Sequence, residues 1–178
     1  MSYEVQATEL NLLAGMHPNG QPVLEKVRAF ALPQVGHFQL LQSPLFVGGT
    51  ACGDQIEMLN NNPGRFRVHQ RSGQLAVRVL SRGDVGAIAD ELTPAVEKLG
   101  GQLDVQSARA LVYSIHVAVG FREIEAVFDR HVGTDGNATW SLDNNGGTFR
   151  IFNTGTVYAS LGSTGDFALN TNKFTVAG

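Results

Sequence analysis

Short apolar runs separated by turn residues fill the first half of the chain. Val23 to Leu32 and His37 to Val47 read as strands interrupted by Pro33, Gly36 and Pro44, because proline and glycine supply the backbone angles that tight turns need. Ahead of them lies a leading segment in which Thr8 can start a helix and His17-Pro18-Asn19-Gly20 makes a turn. Gln55 to Leu59 forms the next expected strand, after the glycine-rich run Gly48 to Gly53 and before a turn at 60–64. The residues around Ser72-Gly73 then alternate in a way that predicts a hairpin. Val68 faces Val77 and Phe66 faces Val79 on its apolar side, while Arg67 faces Arg78 and His69 faces Ala76 on the other.

The period changes after Arg82. Asp84 can cap a helix whose apolar residues Ile88, Leu92, Val96 and Leu99 recur at helical spacing, and Gly100-Gly101 stops it. Pro94 lies inside that helix and predicts a kink or a break near Leu92-Thr93. Strands are expected over Gln102 to Gln106 and Ala110 to Val119, then a helix from Phe121 to Val132 and a strand from Ala138 to Leu142. From Gln74 onward this order is that of a ferredoxin-like split βαβ unit. One conflict is built in, since the first strand of that unit is central and leaves no free edge for a hairpin partner at 65–71. Either the last strand is displaced or the hairpin curls into the preceding β module.

The expected architecture is therefore α+β in four parts. Residues 1–22 are an N-terminal segment, 23–82 a small barrel-like antiparallel β module carrying a basic hairpin, and 83–143 a helix-strand-strand-helix-strand unit. Residues 144–178 are a tail rich in Gly, Thr and Asn, expected as short strands packed on its own chain or on a neighbouring copy. With 43% apolar residues in 178, the chain can bury a core unaided. Only 16% are charged and the net charge is -3, which speaks against nucleic acid as a partner. The outward face of the Tyr113 strand carries Ser114, His116 and Ala118 rather than base-stacking aromatics. Cys52 is the single cysteine and cannot form an internal disulfide, and the N-terminus lacks the basic start and apolar run of a signal peptide. No apolar stretch reaches the roughly 20 residues that span a bilayer, so a cytoplasmic protein without membrane contact is expected.

Several short motifs carry a resemblance. Ser43-Pro44-Leu45-Phe46, Gly53-Asp54-Gln55-Ile56-Glu57, Phe66-Arg67-Val68 with Ser72-Gly73, and Val77-Arg78-Val79 are followed by the helix Phe121 to Val132 and by Trp140. Together they resemble a small bacterial family known only as a domain of unknown function. The resemblance spans roughly Glu25 to Asp143 and implies a bacterial, cytosolic, mixed α+β protein, with no catalytic residues to carry over.

Candidate chemistry centres on a basic strip. Between Glu57 and Asp84 there is no carboxylate, yet Arg65, Arg67, Arg71, Arg78 and Arg82 all fall there. An opposed Arg67 and Arg78 repel unless an anion or a carboxylate lies between them. That makes them candidate donors to a small anionic ligand or an acidic protein surface, with His69 and His116 as accessory polar groups. The competing expectation is pairing of these arginines with Asp54, Glu57 or helix carboxylates. Gly48 to Gly53 lacks a P-loop lysine and is expected as a turn with Asp54 bonding local backbone. Cys52 with His37, His69 or His116 and Asp54 would make a thiol nucleophile. No metal and no cofactor is expected, since His17, His37, His69, His116 and His131 stand singly, without ligand spacing. The function expected is a non-enzymatic binding module. The alternatives are an enzyme using Cys52 and a homo-oligomeric assembly protein using its tail.

Overall fold

The computed structural model describes residues 7–59, 63–133 and 137–143, together with the backbone of three later strands. β1 (Ala7–Met16) and β2 (Pro22–Ala31) pair as a long antiparallel hairpin, and β3 (His37–Leu40), β4 (Gln55–Met58) and β5 (Phe66–Gln70) add to it in sequence order. The helix expected to start at Thr8 does not form. Leu10 and Leu12 alternate with exposed Glu9 and Asn11, which is a strand period, and they bury with Val27, Ala29, Leu40, Val47 and Ile56 in a first apolar core. The strand expected from His37 to Val47 stops at Leu40, because the backbone groups of 44–47 are taken by side chains from elsewhere in the fold.

Gly64, ahead of β5, rests directly on β1. Its φ is +73°, its carbonyl accepts the Leu13 N–H at 2.8 Å, and a Cβ there would lie 2.8 Å from Leu13 N and 2.6 Å from Leu24 Cδ2. Only glycine fits both the angle and the approach.

β6 (Gln74–Ser81) opens a second antiparallel sheet with β7 (Gln102–Gln106), β8 (Ala110–His116) and β9 (Ala138–Asp143). The order across it is β9-β6-β8-β7. The expected hairpin about Ser72-Gly73 is therefore corrected: β5 pairs with β4, and both edges of β6 are taken by β8 and β9. The chain crosses at Ser72-Gly73 from one sheet to the other. β8 ends at His116, and Val117–Val119 form a 3-10 turn rather than the end of a longer strand.

Two helices, α1 (Gly86–Lys98) and α2 (Phe121–His131), cover one face of this sheet. Leu92, Val96, Ile124 and Phe128 pack on Val77, Tyr113, Ile115 and Trp140 in a second apolar core. Asp84 Oδ1 accepts the Gly86 N–H at 2.8 Å at the start of α1, and Gly100 at φ +78° ends it. α1 runs through Pro94 as one helix rather than two short ones. Pro94 lies on its exposed side, opposite the buried Ala89, Leu92 and Val96, so the carbonyl deprived of its partner faces water.

Past β9, the backbone continues the sheet through β10 (Phe149–Asn153), β11 (Thr156–Leu161) and β12 (Phe167–Leu169), with β10 paired to β9 of the same chain. The remainder of the tail lies outside the described residues. Two antiparallel sheets and two helices make this an α+β protein. No helix among the described residues is long and apolar enough to cross a membrane.

Candidate functional site

The residues singled out in sequence do not share one face. Arg67, on exposed β5, hydrogen-bonds Glu57 directly across the ladder, and that bond holds the Glu57 carboxyl below its usual range. His69 stands further along the same strand and meets the His37 ring edge-on at 5.2 Å. His116 closes β8, where its Nδ1 accepts the Ala118 N–H. Arg78 is in a different place altogether. It is 5% exposed on β6, opposite Val112 and Ser141, because β5 and β6 belong to different sheets.

Arg78 holds a loop. Its Nε donates to the carbonyls of Pro44 and Leu45 at 3.1 and 2.9 Å, and its Nη2 donates to that of Val47 at 2.9 Å. From the other side, Glu25 on β2 accepts the N–H groups of Leu45, Phe46 and Val47 at 2.6, 2.8 and 3.0 Å. The loop is clamped through its main chain by one carboxylate and one guanidinium, which are stronger partners than neutral groups.

Asp54 forms a second node. Buried to 1% exposure, it accepts from Ala51 N, Ser72 N and Ser72 Oγ, and pairs with Arg71 at 3.2 Å. Arg71 Nη1 also donates to the Gly49 carbonyl. Asp54 thus does the local backbone bonding expected of it, and of the five basic-strip arginines, Arg67 and Arg71 have the carboxylate partners named from sequence.

Between these features the two sheets leave a cleft of about 400 Å³. Gln39, Gln55 and Gln70 stand in one cross-strand ladder on β3, β4 and β5 and form one wall. Gln74, Gln102 and Ser114 line it from the second sheet, with Cys52, Arg71 and Ser72 at the crossing between sheets. Glutamines at such positions have no motif, and their convergence follows from strand register, which the sequence does not disclose.

The amides have fixed orientations. Gln39 Nε2 donates to the Gly53 carbonyl at 3.3 Å, and Gln102 Nε2 donates to Asp104 Oδ1 at 2.9 Å and contacts Cys52 Sγ at 3.5 Å. Carbonyl and carboxylate oxygens only accept, so each amide must present its oxygen elsewhere. Asp104 also accepts the Ser43 N–H at 2.7 Å and the Ser114 hydroxyl at 3.2 Å.

The Cys52 thiol is pushed up to about 11, first by burial and then by the negative charges of Asp104 and Asp54, against a lowering hydrogen bond from Gln102. At neutral pH it is a thiol and not a thiolate. Among the described residues its thiol contacts the Gln102 amide and feels the charges of Asp104 and Asp54, and no imidazole is among the groups acting on it.

A family model described as a domain of unknown function, DUF4265, matches residues 25–140. That span is close to the one expected from the motifs, and it contains Glu25, Arg78 and every residue lining the cleft. A crystal structure of a hypothetical protein from Neisseria gonorrhoeae is similar in fold, with a TM-score of 0.58 and 14% identity over 78% of this chain and 94% of that one. No curated protein matches the chain.

Proposed function

We propose that this chain, which belongs to the DUF4265 family of domains of unknown function, is a non-enzymatic module that binds a small polar ligand in the cleft between its two sheets. The observation that carries this reading is the convergence of five glutamine amides and the Arg71 guanidinium on one cavity of about 400 Å³, a size within the small-molecule range of roughly 300–1,000 Å³. The site differs from the expected basic face: Arg71 takes the place given to Arg67 and Arg78, whose guanidinium groups serve Glu57 and the 44–47 loop. The protonated Cys52 thiol favours binding over nucleophilic catalysis.

In this reading, residues 7–70 are a small barrel-like module, supported by the Leu13–Gly64 bond, and residues 74–143 a ferredoxin-like unit, supported by the strand order β9-β6-β8-β7. The ligand would sit at their junction. A bacterial cytosolic setting is in keeping with the bacterial structural relative and the single unpaired cysteine.

The test is a thermal-shift screen of the full chain against amino acids, dicarboxylates, polyols and phosphate, since a ligand of the native state raises its apparent stability. A selective rise is expected, lost in a Gln55→Leu/Gln102→Leu double variant. Binding that the double variant leaves intact would remove the cleft as the site.

A further inference from the structure

Charge is nearly absent from the cleft lining. Arg71 is the one charged residue among those described there, and its guanidinium is already paired with the buried Asp54 at 3.2 Å. No carboxylate, imidazole or ammonium is among the described residues lining it, and the Cys52 thiol is protonated at neutral pH. A free anion has to share Arg71 with Asp54, and a free cation finds no lining carboxylate to pair with. An apolar ligand fares no better, since the described lining has neither a branched aliphatic side chain nor an aromatic ring on which a nucleobase could stack.

What the lining offers is donors and acceptors together. Gln39 and Gln102 commit amide N–H groups to protein acceptors and keep their oxygens as acceptors. Among the described residues the side chains of Gln55, Gln70 and Gln74 have no protein partner, so each amide offers both an oxygen and an NH2 group. A carboxylate only accepts and an ammonium only donates, whereas a hydroxyl does both. The amides come from both sheets, so a matching ligand needs hydrogen-bonding groups around its whole outline. A polyol has one on each carbon, while a simple amide has them at one end.

We infer that the cleft takes a small uncharged polyhydroxyl compound, of the sugar and polyol class, held by the glutamine amides. This rests on the reading of the cleft as a ligand site.

The test is calorimetric titration of the full chain with D-glucose, D-ribose, D-sorbitol and myo-inositol, and with two charged counterparts, D-gluconate and D-glucosamine. Malonamide, which is neutral but has no hydroxyl, and cyclohexanol, which has one, complete the set. The rate of Cys52 alkylation by iodoacetamide at about pH 9, corrected for each compound's effect on free cysteine, reports occupancy of the cleft that Cys52 lines. At least one neutral polyhydroxyl compound is expected to bind and to slow alkylation, with the charged counterparts about tenfold weaker. Its affinity should be the same at low salt and at about 0.5 M salt, where a charged ligand would be screened. Gln70→Leu, a change at an exposed side chain, should weaken it about threefold to tenfold.

Gluconate or glucosamine binding as tightly as the neutral compounds, or malonamide or cyclohexanol binding in their place, overturns the polyhydroxyl class. Where Cys52 is protected in those cases, the cleft stands as a ligand site. Binding that Gln70→Leu leaves unchanged overturns the role given to the amides. A polyol that binds while Cys52 reacts at its full rate overturns both the inference and the cleft as the site. Binding by none of the compounds overturns the inference, and the Gln55→Leu/Gln102→Leu comparison then decides the cleft separately.

Discussion

Arg67 and Arg78 sit in similar surroundings in sequence, each between apolar strand residues, and end in opposite environments. Arg67 is exposed and salt-bridged to a half-buried carboxylate, whereas Arg78 is buried on three main-chain carbonyls. Replacing Arg78 with methionine leaves those carbonyls without their donor, and should destabilise the fold by about 3 kcal/mol or more, read from urea unfolding. Arg78→Lys should recover only part of that, since an ammonium has no planar fork to span the carbonyls. Arg67→Ala should leave the unfolding midpoint near that of the unaltered protein, because exposed pairs contribute little. Cys52 gives a pH prediction. Its folded value of about 11 lies above the ordinary 9.0, so the folded state holds the thiol proton more tightly than the unfolded one. The resulting stability is fully present below pH 9 and is lost as pH rises toward 11. Cys52→Ser should remove that alkaline loss, and alkylation of the folded protein should titrate near 11; a midpoint near 8.5 would contradict the burial and charge assigned to the thiol.

Among elements, the apolar pattern located those whose signal lies within the element itself. α2, β7 and β9 lie within a residue of their expected spans, and α1 stops at the glycine that foretold its end, while its N-cap is Val85 rather than the expected Asp84, which bonds Gly86 from one residue further back. β1 was missed because Leu10 and Leu12 are only two alternating positions before Leu13 and Ala14 blur the pattern. The pairing of β5 was misassigned because a Ser-Gly turn between alternating strands looks the same whether the strands pair or part, and only the occupied edges of β6 decide it. The glutamine ladder depends on that same pairing and was invisible for the same reason. Pro94 shows a tertiary override: the buried face of α1 carries the helix across a residue that costs an isolated helix about 3 kcal/mol. Pro94→Ala restores the missing bond to Asp90 and should stabilise the protein by about 1–3 kcal/mol, measured as a rise in unfolding midpoint; a fall would mean that the ring is needed where it stands.

At the scale of the whole molecule, the described residues form two apolar cores and a polar seam. The cores are separate clusters, and among the described residues the bonds linking their sheets include Arg78 to the 44–47 carbonyls, Asp104 to the Ser43 N–H and Gln102 to Cys52, with Asp54 and Ser72 at the crossing. These bonds should make the two cores unfold as one cooperative unit. Trp140 lies in the second core and is the single tryptophan, so its fluorescence follows one half, while far-UV circular dichroism follows both. The two signals should give coincident urea transitions; separated transitions would mean that the seam does not unite the halves. The clamp on residues 44–47 carries a different lesson. Because Glu25 and Arg78 grip peptide groups rather than side chains, the shape of this loop does not depend on what is written at position 46, where Phe46 is 67% exposed. That position is free to diversify, and a library randomised there would sample new surface chemistries on an unchanging scaffold.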